Sequence, residues 1–209
     1  MLQTSSQPVT FEEDLPPAIP LYIPHDLTLK VSHKDFVKLA AANRDLRLER
    51  TAQGELIVNP PTGWETGKRN MGISGELYLW WRNAGKPGEI FDSSTAFTLP
   101  NGAIRSPDAS WISQSRGDAL SDDQKQTFAN VCPDFVVELR SRSDSLKTLQ
   151  EKMREYMDNG ARLGWLIDPK NRRVEIYRQG QEVEVSSQPQ TLSGEDVLPG
   201  FVLQLDLIW

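Results

Sequence analysis

The run Asp134-Phe135-Val136-Val137-Glu138-Leu139-Arg140 constrains the fold more than any other segment of the chain. Its aromatic and β-branched residues make it the most strand-like stretch. A run that is apolar on both faces reads as a central strand covered on both sides. Glu138 interrupts it. A buried carboxylate is costly unless it is paired or binds a metal. Two readings stand here: a glutamate at the strand's wet end, ion-paired to Arg140 or Arg142, or a carboxylate held inside for chemistry.

The surroundings of this strand can be read outward. After it, residues 145–159 predict a helix, Gly160 ends it, and Leu163-Gly164-Trp165-Leu166-Ile167-Asp168-Pro169 reads as a second strand. A turn at Lys170-Asn171 leads into the strand 172–178. Upstream, Ser32 is an N-cap candidate with Asp35 in the capping-box position, which predicts a helix over 33–43. Leu46 and Leu48 alternate with charged residues, Gly54 turns the chain, and Leu56 and Val58 resume the pattern, a hairpin. A longer helix follows at 66–84, carrying Met71, Ile73, Leu77, Leu79, Trp80 and Trp81. Strands at 89–99 and 103–112 are joined through Pro100-Asn101-Gly102. Residues 114–130 read as a polar loop, and 184–209 as a tail with a last apolar stretch. Residues 1–28 carry Pro8, Pro16, Pro17, Pro20 and Pro24 and no Lys or Arg, an extended arm; 29–209 form one domain. The expected class is α/β or α+β, built on one mixed sheet flanked by helices.

Composition narrows the chemistry. With 209 residues there is room for a real core, and 38% apolar with 25% charged residues suits a globular protein. No apolar run reaches membrane-span length and no leader pattern opens the chain, so a cytoplasmic protein without membrane contact is expected. A lone Cys132 excludes a disulfide framework and a cysteine-rich zinc site, and marks an inert core thiol. His25 and His33 are the only histidines, so a His-built metal site or a Ser-His-Asp triad is excluded as a basis. A metal would be held by oxygen, hence magnesium or manganese. The net charge of -6 argues against a generic nucleic-acid coat, yet residues 138–178 hold 10 Lys+Arg against 7 Asp+Glu. A local basic surface on an acidic body suits a phosphate ligand.

Two further residues join Glu138. Asp108 follows Pro107 at a strand start, where an Asp is commonly a turn residue. Two acids on neighbouring strands can nevertheless share one divalent ion, because magnesium takes only one or two protein carboxylates. Such an ion would suit phosphodiester hydrolysis. In the 145–159 helix, Leu146, Leu149, Met153, Tyr156 and Met157 form one apolar stripe. Lys152 lies on its shoulder, about 40° from Tyr156. Its amine can reach over the strand ends. The competing reading is a snorkelling surface lysine, whose loss would cost about 0.5 kcal/mol or less.

The runs Ser106-Pro107-Asp108-Ala109-Ser110-Trp111-Ile112, 133–143 and 152–169, with Val174-Glu175-Ile176-Tyr177-Arg178, resemble the Uma-two family, bacterial proteins grouped with restriction endonucleases in the PD-(D/E)xK nuclease superfamily. The resemblance runs from about Ser32 to Phe201 and takes in the 46–58 hairpin. It implies a restriction-endonuclease-like mixed central sheet flanked by helices, with an extra N-terminal hairpin. It implies that Pro107-Asp108 is the PD element and Glu138 the second acid, the two holding Mg2+ or Mn2+ with the Leu139 carbonyl. The superfamily's usual lysine position is occupied by Arg140, which cannot deprotonate, so Lys152 is implied as the displaced catalytic lysine. Glu49 matches the family's recurring early acid; Glu76 competes for that role. The histidine the family often carries before the long helix is replaced here by Gly63-Trp64-Glu65-Thr66.

The implied activity is metal-dependent hydrolysis of DNA phosphodiester bonds, in a homodimer. A second reading is a catalytically inactive nucleic-acid- or protein-binding module on the same fold, which the acidic net charge favours. A third is an interaction protein, in which one of the adjoining Trp80 and Trp81 marks an oligomer interface.

Overall fold

Ser32 caps the first helix: its hydroxyl accepts the Asp35 backbone N–H at 3.1 Å, and α1 (His33–Ala42) begins there. The computed structural model describes residues 27–209, so the arm expected at 1–28 lies almost wholly outside the described residues. After α1 come β1 (Arg47–Arg50), β2 (Leu56–Asn59), α2 (Trp64–Asn83), β3 (Glu89–Asp92), β4 (Phe97–Thr98), β5 (Ile104–Arg105) and β6 (Ala109–Ile112). Two short helices, α3 (Gln114–Asp118) and α4 (Asp122–Lys125), lead to β7 (Phe135–Leu139), α5 (Leu146–Asp158), β8 (Leu163–Asp168) and β9 (Arg173–Arg178). The chain closes with β10 (Glu184–Ser187), β11 (Thr191–Ser193), β12 (Val202–Gln204) and a 3-10 turn, Leu205–Leu207. None of the described helices is long and apolar enough to cross a membrane.

The single expected sheet is three. A six-stranded sheet runs β10-β9-β8-β7-β6-β3, a four-stranded one β2-β1-β5-β4, and β11 pairs β12. The two long strands expected at 89–99 and 103–112 each divide between the two larger sheets. Asp92 Oδ1 accepts the backbone N–H of Ser94 at 3.0 Å and its hydroxyl at 2.6 Å, an Asx turn that bends the first run. Pro107 lacks an N–H and interrupts the second. The expected 46–58 hairpin forms, but as half of the four-stranded sheet, with β1 joined to β5 through Arg50 and Ile104. Residues 114–130 hold α3 and α4 rather than a bare loop. Neither has a buried residue, so no apolar periodicity announces them, although Ser121 and Gln124 form a capping box.

Parallel β7 and β8 sit at the centre of the large sheet, with α5 as the crossover between them. Alternation sorts the side chains. Phe135, Val137, Leu139 and Trp165 face α2 and the C-terminal segment, packing with Ile73, Leu77 and Phe201. Val136 and Leu166 face α5, packing with Met153 and Tyr156. The period of two therefore turns Glu138 towards α5. The helix lies close: a Cβ on Gly164 would come within 2.5 Å of the Met153 methyl. Burying Met153 contributes about 1.5–3 kcal/mol. On α2 only Ile73 and Leu77 are buried, while Met71 and Leu79 stand exposed. Trp80 packs near Trp111 and Phe201 and donates to Pro199 O at 3.0 Å; Trp81 donates to Gly88 O at 2.7 Å. Both tryptophans are thus engaged within the chain.

Cys132 is fully buried on the α5 side, its thiol donating weakly to Tyr156 O at 3.5 Å. Burial pushes its pKa up to about 12. The thiol should stay silent to a disulfide reagent such as DTNB in native buffer and react fully in denaturant. Native labelling at the rate of a free thiol would contradict this.

Candidate active site

The β6–β7 ladder pairs Ala109 with Val137, so the register continued by one residue sets Asp108 opposite Glu138. The Asp108 N–H donates to Val137 O, and Asp108 Oδ2 accepts the Leu139 N–H, both at 2.9 Å. The carboxylate accepts the Leu139 N–H at the point where Pro107 interrupts the ladder. Asn70 of α2 donates to Asp108 Oδ1 at 3.3 Å, and Arg47 lies 3.7 Å from the same oxygen. Asp108, Glu138, Glu49 and Lys152 all line one cleft of about 730 Å³. Neighbouring cleft residues come from the segment before α2, from the first turns of α2, and from the loops after β7 and β8.

Lys152 ties the acids together. Its ammonium lies 2.8 Å from Glu138 Oε1 and 2.9 Å from Glu49 Oε1, and donates to Ser106 O at 3.2 Å. Its side chain is 12% exposed against 85% for Lys147, so the surface-lysine reading does not hold. The wet-end reading of Glu138 also fails: the residue is 4% exposed and its Oε1 takes Lys152 and the Tyr156 hydroxyl, the latter at 3.0 Å. Arg140 is committed elsewhere, to Asp168 at 2.6 Å. Glu49, reached through the second sheet, also accepts from Arg105 at 3.3 Å and from the Ser106 N–H at 3.2 Å. Arg105 in turn pairs with Glu155 of α5 at 2.6 Å. Glu76 does not line the cleft, so of the two early acids it is Glu49 that the fold brings to Lys152.

Sequence reasoning missed four of these partners. In the sequence Tyr156 belongs to the apolar stripe; its place one turn after Lys152 is the available signal, since residues four apart share a helix face. Arg105, Arg47 and Asn70 carried no local signal.

Burial dominates the electrostatics. It raises Asp108 above the usual carboxylate range, against the Leu139 N–H, Lys152 and Arg47. It pushes Glu138 up to about 7, opposed by Lys152 and reinforced by Asp108 and Glu49. For Glu49, burial is outweighed by Lys152 and Arg105, and its pKa falls. For Lys152, burial is outweighed by Glu138 and Glu49, and its pKa rises. At neutral pH the ammonium is therefore a hydrogen-bond donor and a fixed positive charge rather than a base.

The family signature of Uma2, described as "Putative restriction endonuclease", matches residues 33–206. The chain belongs to the Uma2 family. A solved structure, the crystal structure of a "putative nuclease belonging to DUF820" from Anabaena variabilis ATCC 29413, matches with a TM-score of 0.71 and 21% identity, over 85% of this chain and 97% of that chain. That likeness shows the fold, a restriction-endonuclease-like α+β arrangement with helices flanking the sheets. No curated protein matches the chain.

In this Uma2 chain the donor set fits a hard divalent ion. Glu138 Oε1 is taken by Lys152 and Tyr156, while Oε2 has no protein partner among the described residues. Beside Asp108, the buried Asn70 Oδ1 is also without a hydrogen-bond partner. Among the described residues no group of three or more His, Cys, Asp and Glu gathers as a metal cluster. Magnesium needs only one or two carboxylates and fills its remaining positions with water and phosphate.

Proposed function

We propose that this Uma2-family protein is a metal-dependent nuclease that hydrolyses phosphodiester bonds of DNA. The observation that carries the reading is the meeting, on one cleft floor, of Asp108 and Glu138 from adjacent strands with Lys152 from the next helix. Asp108 and Glu138 would hold Mg2+ or Mn2+. Bound there, the ion would polarise the phosphoryl oxygen and lower the pKa of the attacking water. Lys152, kept protonated, donates to the scissile phosphate or orients that water, and offsets the charge that builds in the transition state. Glu49 is a positioning residue: it holds the Lys152 amine and is itself fixed by Arg105. Tyr156 holds Glu138 from the helix side.

Supercoiled plasmid incubated with Mg2+ or Mn2+ tests the reading. Nicking or linearisation that EDTA stops, and that Asp108→Asn lacks, supports it. Binding of the plasmid without cleavage in either metal would favour the inactive binding module.

A pH dependence follows from Glu138. Its pKa in the fold is raised above its ordinary value of 4.5 to about 7. Its contribution to stability is therefore full below 4.5 and lost as pH rises through about 7. A metal ion must displace that proton. Mg2+ affinity should climb about tenfold per pH unit below neutrality and level off above it. Calorimetry in buffers of different ionisation enthalpy should show about one proton released per ion at pH 6 and far less at pH 8. An affinity flat from pH 6 to 8 would remove Glu138 from the metal site.

A further inference from the structure

We propose that Trp64 is a stacking platform for an unpaired base, so that the cleft takes a single strand, or an unpaired stretch of a duplex, in preference to a fully paired one. The proposal rests on the nuclease reading and narrows its substrate. Trp64 is 86% exposed, whereas the other five tryptophans are buried or half-buried. Indole normally hides its ring or uses its N–H when buried. Among the described residues the Trp64 side chain makes no hydrogen bond and no aromatic or cation–π contact, so nothing in the fold accounts for its exposure. It opens α2 and lines the same cleft as Asp108, Glu138 and Lys152.

Two exposed cations, Arg142 in the loop after β7 and Lys170 after β8, line that cleft too and form no ion pair among the described residues. They are free for backbone phosphates, as Arg140 and Arg69 are not: Arg140 holds Asp168, and Arg69 donates to Ile208 O at 2.6 Å. Depth points the same way. Glu49 and Glu138 are 3% and 4% exposed, so the scissile phosphate must descend into the cleft. An unpaired strand can do this while its bases splay onto an aromatic face; stacking of this kind is tolerant of sequence. An aromatic ring with free cations beside it is the arrangement that binds single strands.

The test uses the full chain in Mg2+ with hydrolysis-resistant phosphorothioate DNA, a labelled 12-nucleotide single strand and the matching duplex, followed by anisotropy. The wild type should bind the single strand more tightly. Trp64→Ala should weaken single-strand binding about 5- to 150-fold and leave duplex binding unchanged. Trp64→Phe should retain most of the affinity. Emission specific to Trp64, taken as wild type minus Trp64→Phe, should be quenched by the single strand. Arg142→Ala should weaken both probes and reduce their salt dependence. Equal single-strand binding by wild type and Trp64→Ala, in a protein that still cleaves DNA, overturns the stacking role alone. A wild type that binds neither probe overturns the nuclease reading with it.

Discussion

Lys152→Ala should lose about 3–5 kcal/mol of stability, the cost of leaving buried charges without their partner. Its ammonium sits between Glu138 and Glu49, both almost wholly buried. For a chain of this size that corresponds to a drop in Tm of roughly 6–20 °C. The sign with pH is fixed by the carboxylates. Without Lys152, burial carries the Glu49 carboxyl above its unfolded value, and the Glu138 carboxyl, already above it, rises further. Their contribution is then retained below the unfolded values and lost as pH rises through the folded ones. The gap between variant and wild type should therefore be small near pH 4.5 and widen through neutrality. Lys147→Ala, at an 85% exposed position, should change stability by less than about 0.5 kcal/mol. Urea midpoints at pH 5 and pH 8 decide the matter. A Lys152→Ala protein as stable as Lys147→Ala at pH 8 would mean that the buried ion pairs are not formed. Cleavage by the surviving folded fraction should also fall, by about 10²–10⁴.

Asp108→Asn should separate activity from stability in the opposite direction. Burial raises the Asp108 carboxyl, so its charge is a burden on the fold. An amide oxygen can still accept the Leu139 N–H that Asp108 Oδ2 accepts at 2.9 Å. The variant should keep the wild-type Tm without metal, or gain about 1 kcal/mol. It should lose the rise in Tm that Mg2+ gives the wild type. DNA cleavage should fall by at least about 10²–10⁴, the scale of losing a positioned catalytic group. Glu138→Gln should behave alike in cleavage and metal response. Wild-type cleavage in Asp108→Asn at low Mg2+ would sink the assignment of the two acids.

Much of this site was legible in the chain, because parts of it are local. The run apolar on both faces around Glu138 and the apolar stripe of α5 are written in adjacent residues, and so is the Ser32 cap. These patterns determined the principal helices and strands and their order, and that a carboxylate would stand in a covered strand with a lysine on the following helix. They could not say which element covers which. Periodicity identifies an apolar face without naming its partner, so the two long β runs gave no sign that they would divide between two sheets. The consequence is largest at Lys152: periodicity places it on a helix shoulder, and only the second sheet, carrying Glu49 from 103 residues away, makes it a buried bridge between two acids. An ion pair between distant segments leaves no trace in either segment. It exists because the fold removes water from both partners at once, and desolvation is a property of the packed structure alone.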